Sequence, residues 1–101
     1  MLFLVKFKQD DREFCNLYDN TRDFIRDTFC PNIEVLGAIE FKISGKNYAE
    51  RKACARDLAI QYSNMDKTGL SYGEYAEIEN FFDKQACRYG LYEEFRENGV
   101  L

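Results

Sequence analysis

Three times in 101 residues a short polar side chain is followed, three positions on, by glutamate: Asp10-Asp11-Arg12-Glu13, Asn47-Tyr48-Ala49-Glu50 and Ser71-Tyr72-Gly73-Glu74. The first side chain accepts from a backbone N–H orphaned at a helix start, and the glutamate reaches back to another. Three such boxes predict three helices. The first is expected from Asp10 to about Phe29, where Pro31 forbids continuation. Its buried stripe is Phe14, Leu17, Tyr18, Thr21, Phe24, Ile25 and Thr28; Arg12, Asp19, Asp23, Arg26 and Asp27 face water. The second helix is expected to bury Tyr48, Ala55, Leu58, Ala59, Tyr62 and Met65 and to stop by Gly69. The third buries Tyr75, Ile78, Phe82, Ala86 and Tyr89 and meets Gly90 as a C-cap. Leu91–Asn98 adds a short helical piece closed by Gly99.

Two stretches alternate instead. Phe3, Val5 and Phe7 oppose Leu4, Lys6 and Lys8, which predicts a strand over residues 2–8. Ile33, Val35, Ile39, Phe41 and Ile43 share one parity over residues 33–43. Gly37 falls on that same parity and marks either a bulge in one long strand or the turn of a short hairpin. Strand, helix and strand in succession predict a right-handed crossover with parallel pairing. The expected fold class is α+β: a small two- or three-stranded sheet covered by three helices, in the order β-α-β(β)-α-α. It is expected to form one domain over residues 1–101.

A hydrophobic content of 46% with one proline is that of a globular chain. No apolar run approaches the roughly 18 residues of a membrane span, and Met1–Lys6 is too short for a signal peptide. No membrane partner is expected, and the location expected is the cytoplasm of a bacterial host. Cys15, Cys30, Cys54 and Cys87 are scattered, with no CxxC, as thiols of a reducing compartment are. Their gaps of 15, 24 and 33 residues match no finger or ribbon spacing, so no metal site and no cofactor are expected; a small zinc-stabilised module is an alternative.

Nothing predicts an enzyme. There is no histidine to act as a base near neutral pH, and no cysteine has an evident activating partner. Gly69-Leu70-Ser71-Tyr72-Gly73 has the G-x-S-x-G spacing of a nucleophile elbow, but it opens a helix with no strand before it, and Ser71 is read as that helix's cap. Lys46, Arg51, Lys52 and Arg56 form a small basic cluster, but Glu50 and Asp57 interrupt it and the pI is about 4.8.

Charge along the chain is uneven. Residues 1–65 hold ten acidic and ten basic side chains, while residues 66–101 hold eight and four and carry the whole net charge of −4. In that acidic third, carboxylates are interleaved with aromatic rings. Glu74, Glu77, Phe81, Asp83, Tyr92, Glu93, Glu94, Phe95 and Glu97 are the candidate partner-binding residues. Aromatic anchors supply affinity and charge steers encounter, which suits a basic partner.

Segments of residues 48–99 carry a family look: Tyr48-Ala49-Glu50-Arg51-Lys52, Leu58-Ala59-Ile60, Gly69-Leu70-Ser71-Tyr72-Gly73-Glu74 and the run Arg88–Gly99. They resemble small acidic proteins of bacterial mobile elements and phages, anti-CRISPR proteins among them. The resemblance implies a setting, not a set of functional residues. In that setting the chain is expected to be a non-enzymatic inhibitor of a host defence nuclease, with a CRISPR effector as the candidate partner. It would dock its acidic surface on the nuclease's basic nucleic-acid-binding surface and block DNA, without binding nucleic acid itself. A nucleic-acid-associated accessory protein using the basic cluster is the alternative. A homodimer through exposed sheet edges stays open.

Overall fold

The computed structural model describes residues 2–29 and 31–101. The chain forms two compact units, Met1–Lys42 with Asp66–Ser71, and Ile43–Met65 with Tyr72–Leu101. The class is α+β, with a three-stranded sheet and four helices among the described residues.

In the first unit the expected opening helix is replaced by a hairpin. Strand β1 (Phe3–Gln9) turns at Asp10-Asp11 and returns as β2 (Arg12–Tyr18), with Gln9 opposite Arg12. Both turn residues have positive φ, 50° and 67°. That is the twist a two-residue hairpin turn requires, and aspartate tolerates it better than most side chains. The Asp-x-x-Glu pattern is therefore turn chemistry here and not a helix cap. Cross-strand aromatic pairs brace the hairpin near both ends: Phe7 and Phe14 at 5.4 Å between ring centroids, Phe3 and Tyr18 at 5.5 Å. The residues read as a helical stripe at 14 and 18 thus share one face of a strand instead.

The first helix, α1 (Thr21–Thr28), is short. Asn20 caps it by accepting from the Asp23 N–H at 2.9 Å. It packs Phe24 on the sheet against Phe3, Phe7 and Tyr18 at 5.6–6.3 Å. The Tyr18 hydroxyl donates to Asp27 at 2.7 Å and ties the helix to β2. Val5, Phe7 and Tyr18 are the buried centre of this cluster.

Strand β3 (Ile33–Glu40) is continuous, which settles the role of Gly37. It lies antiparallel to β1, not parallel, because the chain has already reversed once in the hairpin; the sheet order is β2-β1-β3. Lys6 faces Gly37 but Phe7 faces Val35, so Leu36 is an extra, bulged residue. The bulge switches parity along the strand, and Ala38 shares a face with Val35 although three positions separate them.

Segment 66–71 runs beside β2. The Cys15 N–H donates to the Thr68 carbonyl at 2.8 Å, and its thiol donates to the Asp66 carbonyl at 3.0 Å. Gly69, at φ +95°, comes so close that a Cβ there would lie 3.0 Å from the Phe14 Cβ.

The second unit is helical. Helix α2 (Tyr48–Asn64) starts where its capping box predicts: the Glu50 N–H donates to Asn47 Oδ1 at 2.9 Å, and Glu50 Oε2 accepts from the Lys46 N–H at 2.6 Å. It buries Ala55, Leu58, Ala59 and Tyr62. Helix α3 (Tyr72–Tyr89) buries Ile78, Phe82, Gln85, Ala86 and Tyr89. Gly90, at φ +68°, lets the Leu91 N–H return to the Ala86 carbonyl at 3.0 Å, the C-terminal closure that glycine favours. Helix α4 (Tyr92–Glu97) then sets Phe95 edge-on to Phe82 at 5.6 Å, and Tyr62 packs on Phe82 at 5.4 Å. Phe82 thus joins three helices, and burying a side chain of its size is worth about 1.5–3 kcal/mol.

Candidate partner-binding surface

The nine residues singled out from the acidic third fall into three groups once folded. Phe95 is fully buried in the second unit and is not an exposed aromatic. A hydrophobic side chain at the fourth position of a short helix closing over a core points inward, which alternation with glutamates concealed. Three others, Asp83, Tyr92 and Glu94, hold α4 in place. The Tyr92 hydroxyl donates to Asp83 Oδ1 at 3.0 Å, and Glu94 receives a bidentate pair from Arg56 at 2.6 and 2.8 Å. Tyr92 and Asp83 connect α4 to α3; Glu94 and Arg56 connect it to α2.

Glu77, Glu93 and Glu97 are exposed, and Glu74 and Phe81 are half-buried on α3. By helical spacing Glu77 and Phe81 lie on one flank of the α3 stripe, and Glu79 and Asp83 on the other. The flank that meets α4 carries Asp83, Tyr92 and, four residues before Asp83, Glu79. The nine residues are therefore not one patch.

The electrostatics follow from these bonds. Hydrogen bonding from Arg56 holds the Glu94 carboxyl below the usual carboxylate range, and the same bond raises the Arg56 guanidinium further. The Asp83 carboxylate pushes the Tyr92 phenol up, so the tyrosine keeps its proton. Tyr92 is 37% exposed, and its ring is fixed by its own hydroxyl.

Folding also redistributes the charge. Each unit contains nine acidic and seven basic side chains, a net −2 apiece, because the basic cluster on α2 shares its unit with the acidic α3 and α4. The asymmetry along the sequence is not one between units. Part of the basic cluster is engaged locally: Arg56 on Glu94, and Arg51 Nε donating to the Gly45 carbonyl at 3.2 Å.

Cys15 is buried, Cys54 half-buried and Cys87 exposed, with no disulfide among them; Cys30 lies outside the described residues. Burial pushes the Cys15 thiol up, away from the thiolate a nucleophile needs. Among the described residues no group of three Cys, Asp or Glu side chains is placed to hold a metal ion, and no helix is long and apolar enough to cross a membrane.

Comparison with protein families, curated proteins and solved structures finds no match to this chain.

Proposed function

We infer that the protein acts by binding, with the α3–α4 flank of the second unit as its contact surface and a basic macromolecular surface as its partner. The observation that carries this is the Tyr92–Asp83 pair. It presents an aromatic ring already held in one orientation beside a carboxylate, with Glu79 on the same flank and the exposed Glu93 next to Tyr92 in sequence. A preset ring loses less entropy on binding than a free one, and the carboxylates attract a cationic partner from a distance.

The resemblance to mobile-element proteins points to the partner's class, a host defence nuclease of CRISPR effector type. Its nucleic-acid channel is basic because it must hold phosphates. Occupying that channel with carboxylates and an aromatic ring would exclude DNA without any chemical step, making the protein an anti-CRISPR-type inhibitor. The engagement of Arg56 and Arg51 within the second unit weakens the competing nucleic-acid reading.

The test is retention of an effector nuclease from a bacterial lysate expressing it, at moderate salt, by the tagged protein and by its Tyr92→Ala variant. Retention by the first and loss by the second is expected. Retention of nucleic acid alone, abolished by nuclease digestion, would favour the basic cluster instead.

A further inference from the structure

The first unit offers a second, different surface. Among the described residues strand β3 pairs with β1 alone, so its outer edge is open, and Glu34, Val35, Leu36, Ala38 and Glu40 along it are exposed. An open strand edge is a row of unmet backbone donors and acceptors, commonly blunted by lysine or proline. Within β3 there is neither; the bulge at Leu36 is its only interruption. Beside this edge, between α1 and β3, runs an open groove of about 450 Å³ lined by Phe3, Val5, Thr21, Phe24, Ala38 and Glu40. Its floor is apolar and Glu40 supplies its one ionised side chain. Ala38, the smallest side chain on that face of β3, leaves the way from the edge into the groove unobstructed.

We propose that the β3 edge and this groove receive an extended segment of a partner protein, which adds a fourth strand and lays a lysine or arginine side chain across Ala38. The aliphatic stem rests on Phe3 and Phe24, over the buried Val5, and the cationic head meets Glu40. Long basic side chains carry both parts that the groove asks for, an apolar stem and a charged tip. Backbone pairing supplies affinity in strand addition, and the pocket for alternate side chains supplies choice. Charge decides against a second copy of this chain as occupant: its β3 would bring Glu34 and Glu40 and no cation to an edge already acidic.

The probe is the blocked heptapeptide Thr-Val-Lys-Val-Lys-Val-Thr, compared with its counterpart carrying glutamate for both lysines. Both are titrated into the full-length protein and followed by backbone amide resonances. The lysine peptide is expected to perturb residues 33–40 together with Thr21 and Phe24, and to bind at least tenfold tighter than the glutamate peptide. Glu40→Lys, at an exposed position that keeps the fold, is expected to reverse the preference. A site that any apolar strand could occupy would show no reversal. Equal binding of the two peptides, perturbation elsewhere, or no binding up to millimolar peptide would overturn the proposal. So would concentration-dependent protection of residues 33–40 in the protein alone, which would assign the edge to a second copy.

Discussion

Arg56 and Glu94, 38 positions apart, meet in a two-pronged ion pair at 2.6 and 2.8 Å that joins α2 to α4. Along the sequence they belong to two opposite surfaces, one basic and one acidic. In the fold each neutralises the other, and with the Tyr92–Asp83 bond they fix the short C-terminal helix on the two longer ones.

The sign of that coupling is testable. Because Arg56 lowers the folded-state carboxyl of Glu94, the pair stabilises the fold above the ordinary carboxyl range. That contribution is lost as the pH falls through the lowered value. Arg56→Gln should move the Glu94 titration, followed by carbon-detected resonance, back up toward ordinary carboxylates. An unchanged titration would mean the pair does not persist in solution. Both side chains are more than 40% exposed, so the effect on stability should be small and should shrink with salt.

Phe95 and Glu93, two positions apart, should respond oppositely to truncation. Phe95→Ala removes a fully buried ring and should cost about 3–5 kcal/mol in denaturant unfolding. Glu93→Ala, on the exposed side of the same helix, should change stability by less than about 0.5 kcal/mol.

The hairpin turn makes a prediction opposite to that of a helix start. Asp11→Gly relieves a left-handed residue at φ 67° and should stabilise by about 0.5–1 kcal/mol. Were residues 10–29 one helix, glycine inside its first turn would cost about 1 kcal/mol instead. The shift in the denaturant midpoint, up or down, separates the two.

Gln85 is buried in α3, and its Oε1 has no hydrogen-bond partner among the described residues. Gln85→Met keeps the volume and removes the unmet acceptor, so it should stabilise the protein by about 1 kcal/mol. A loss of stability would show that a bound water or partner satisfies the amide in solution.

The second unit was largely legible in the sequence, and the first was not, for a physical reason. In helices α2 and α3 most of the expected stripe is buried, Ala55, Leu58, Ala59 and Tyr62 on one and Ile78, Phe82, Ala86 and Tyr89 on the other, so local and tertiary preferences coincide there; Tyr48, expected inside, is 59% exposed in the first turn of α2, and Met65 and Tyr75 are half-buried. Residues 12–18 satisfy two periods at once. Phe14 and Tyr18 are four apart, which suits a helix, and also on one strand parity. The decision came from β1, whose Phe3, Val5 and Phe7 need a partner strand, and from two adjacent aspartates able to turn. Asn20-x-x-Asp23 was a readable cap for α1, hidden inside the longer helical pattern. Of the candidate surface, the residue types were visible, but which of them would be spent on Arg56, on one another or on the core depends on contacts that sequence spacing does not encode.

The most direct measurement is occupancy of target DNA on a purified CRISPR effector nuclease with its guide, as this protein is added. Wild type is compared with a variant in which the exposed Glu79 and Glu93 are both replaced by lysine, Asp83 is left on Tyr92 and Glu94 in its pair with Arg56. Wild type should displace DNA in proportion to added protein. The variant should need at least tenfold more, with its far-ultraviolet dichroism unchanged. Equal displacement by both proteins, or none by the wild type, would contradict an acidic α3–α4 surface that blocks a nuclease channel.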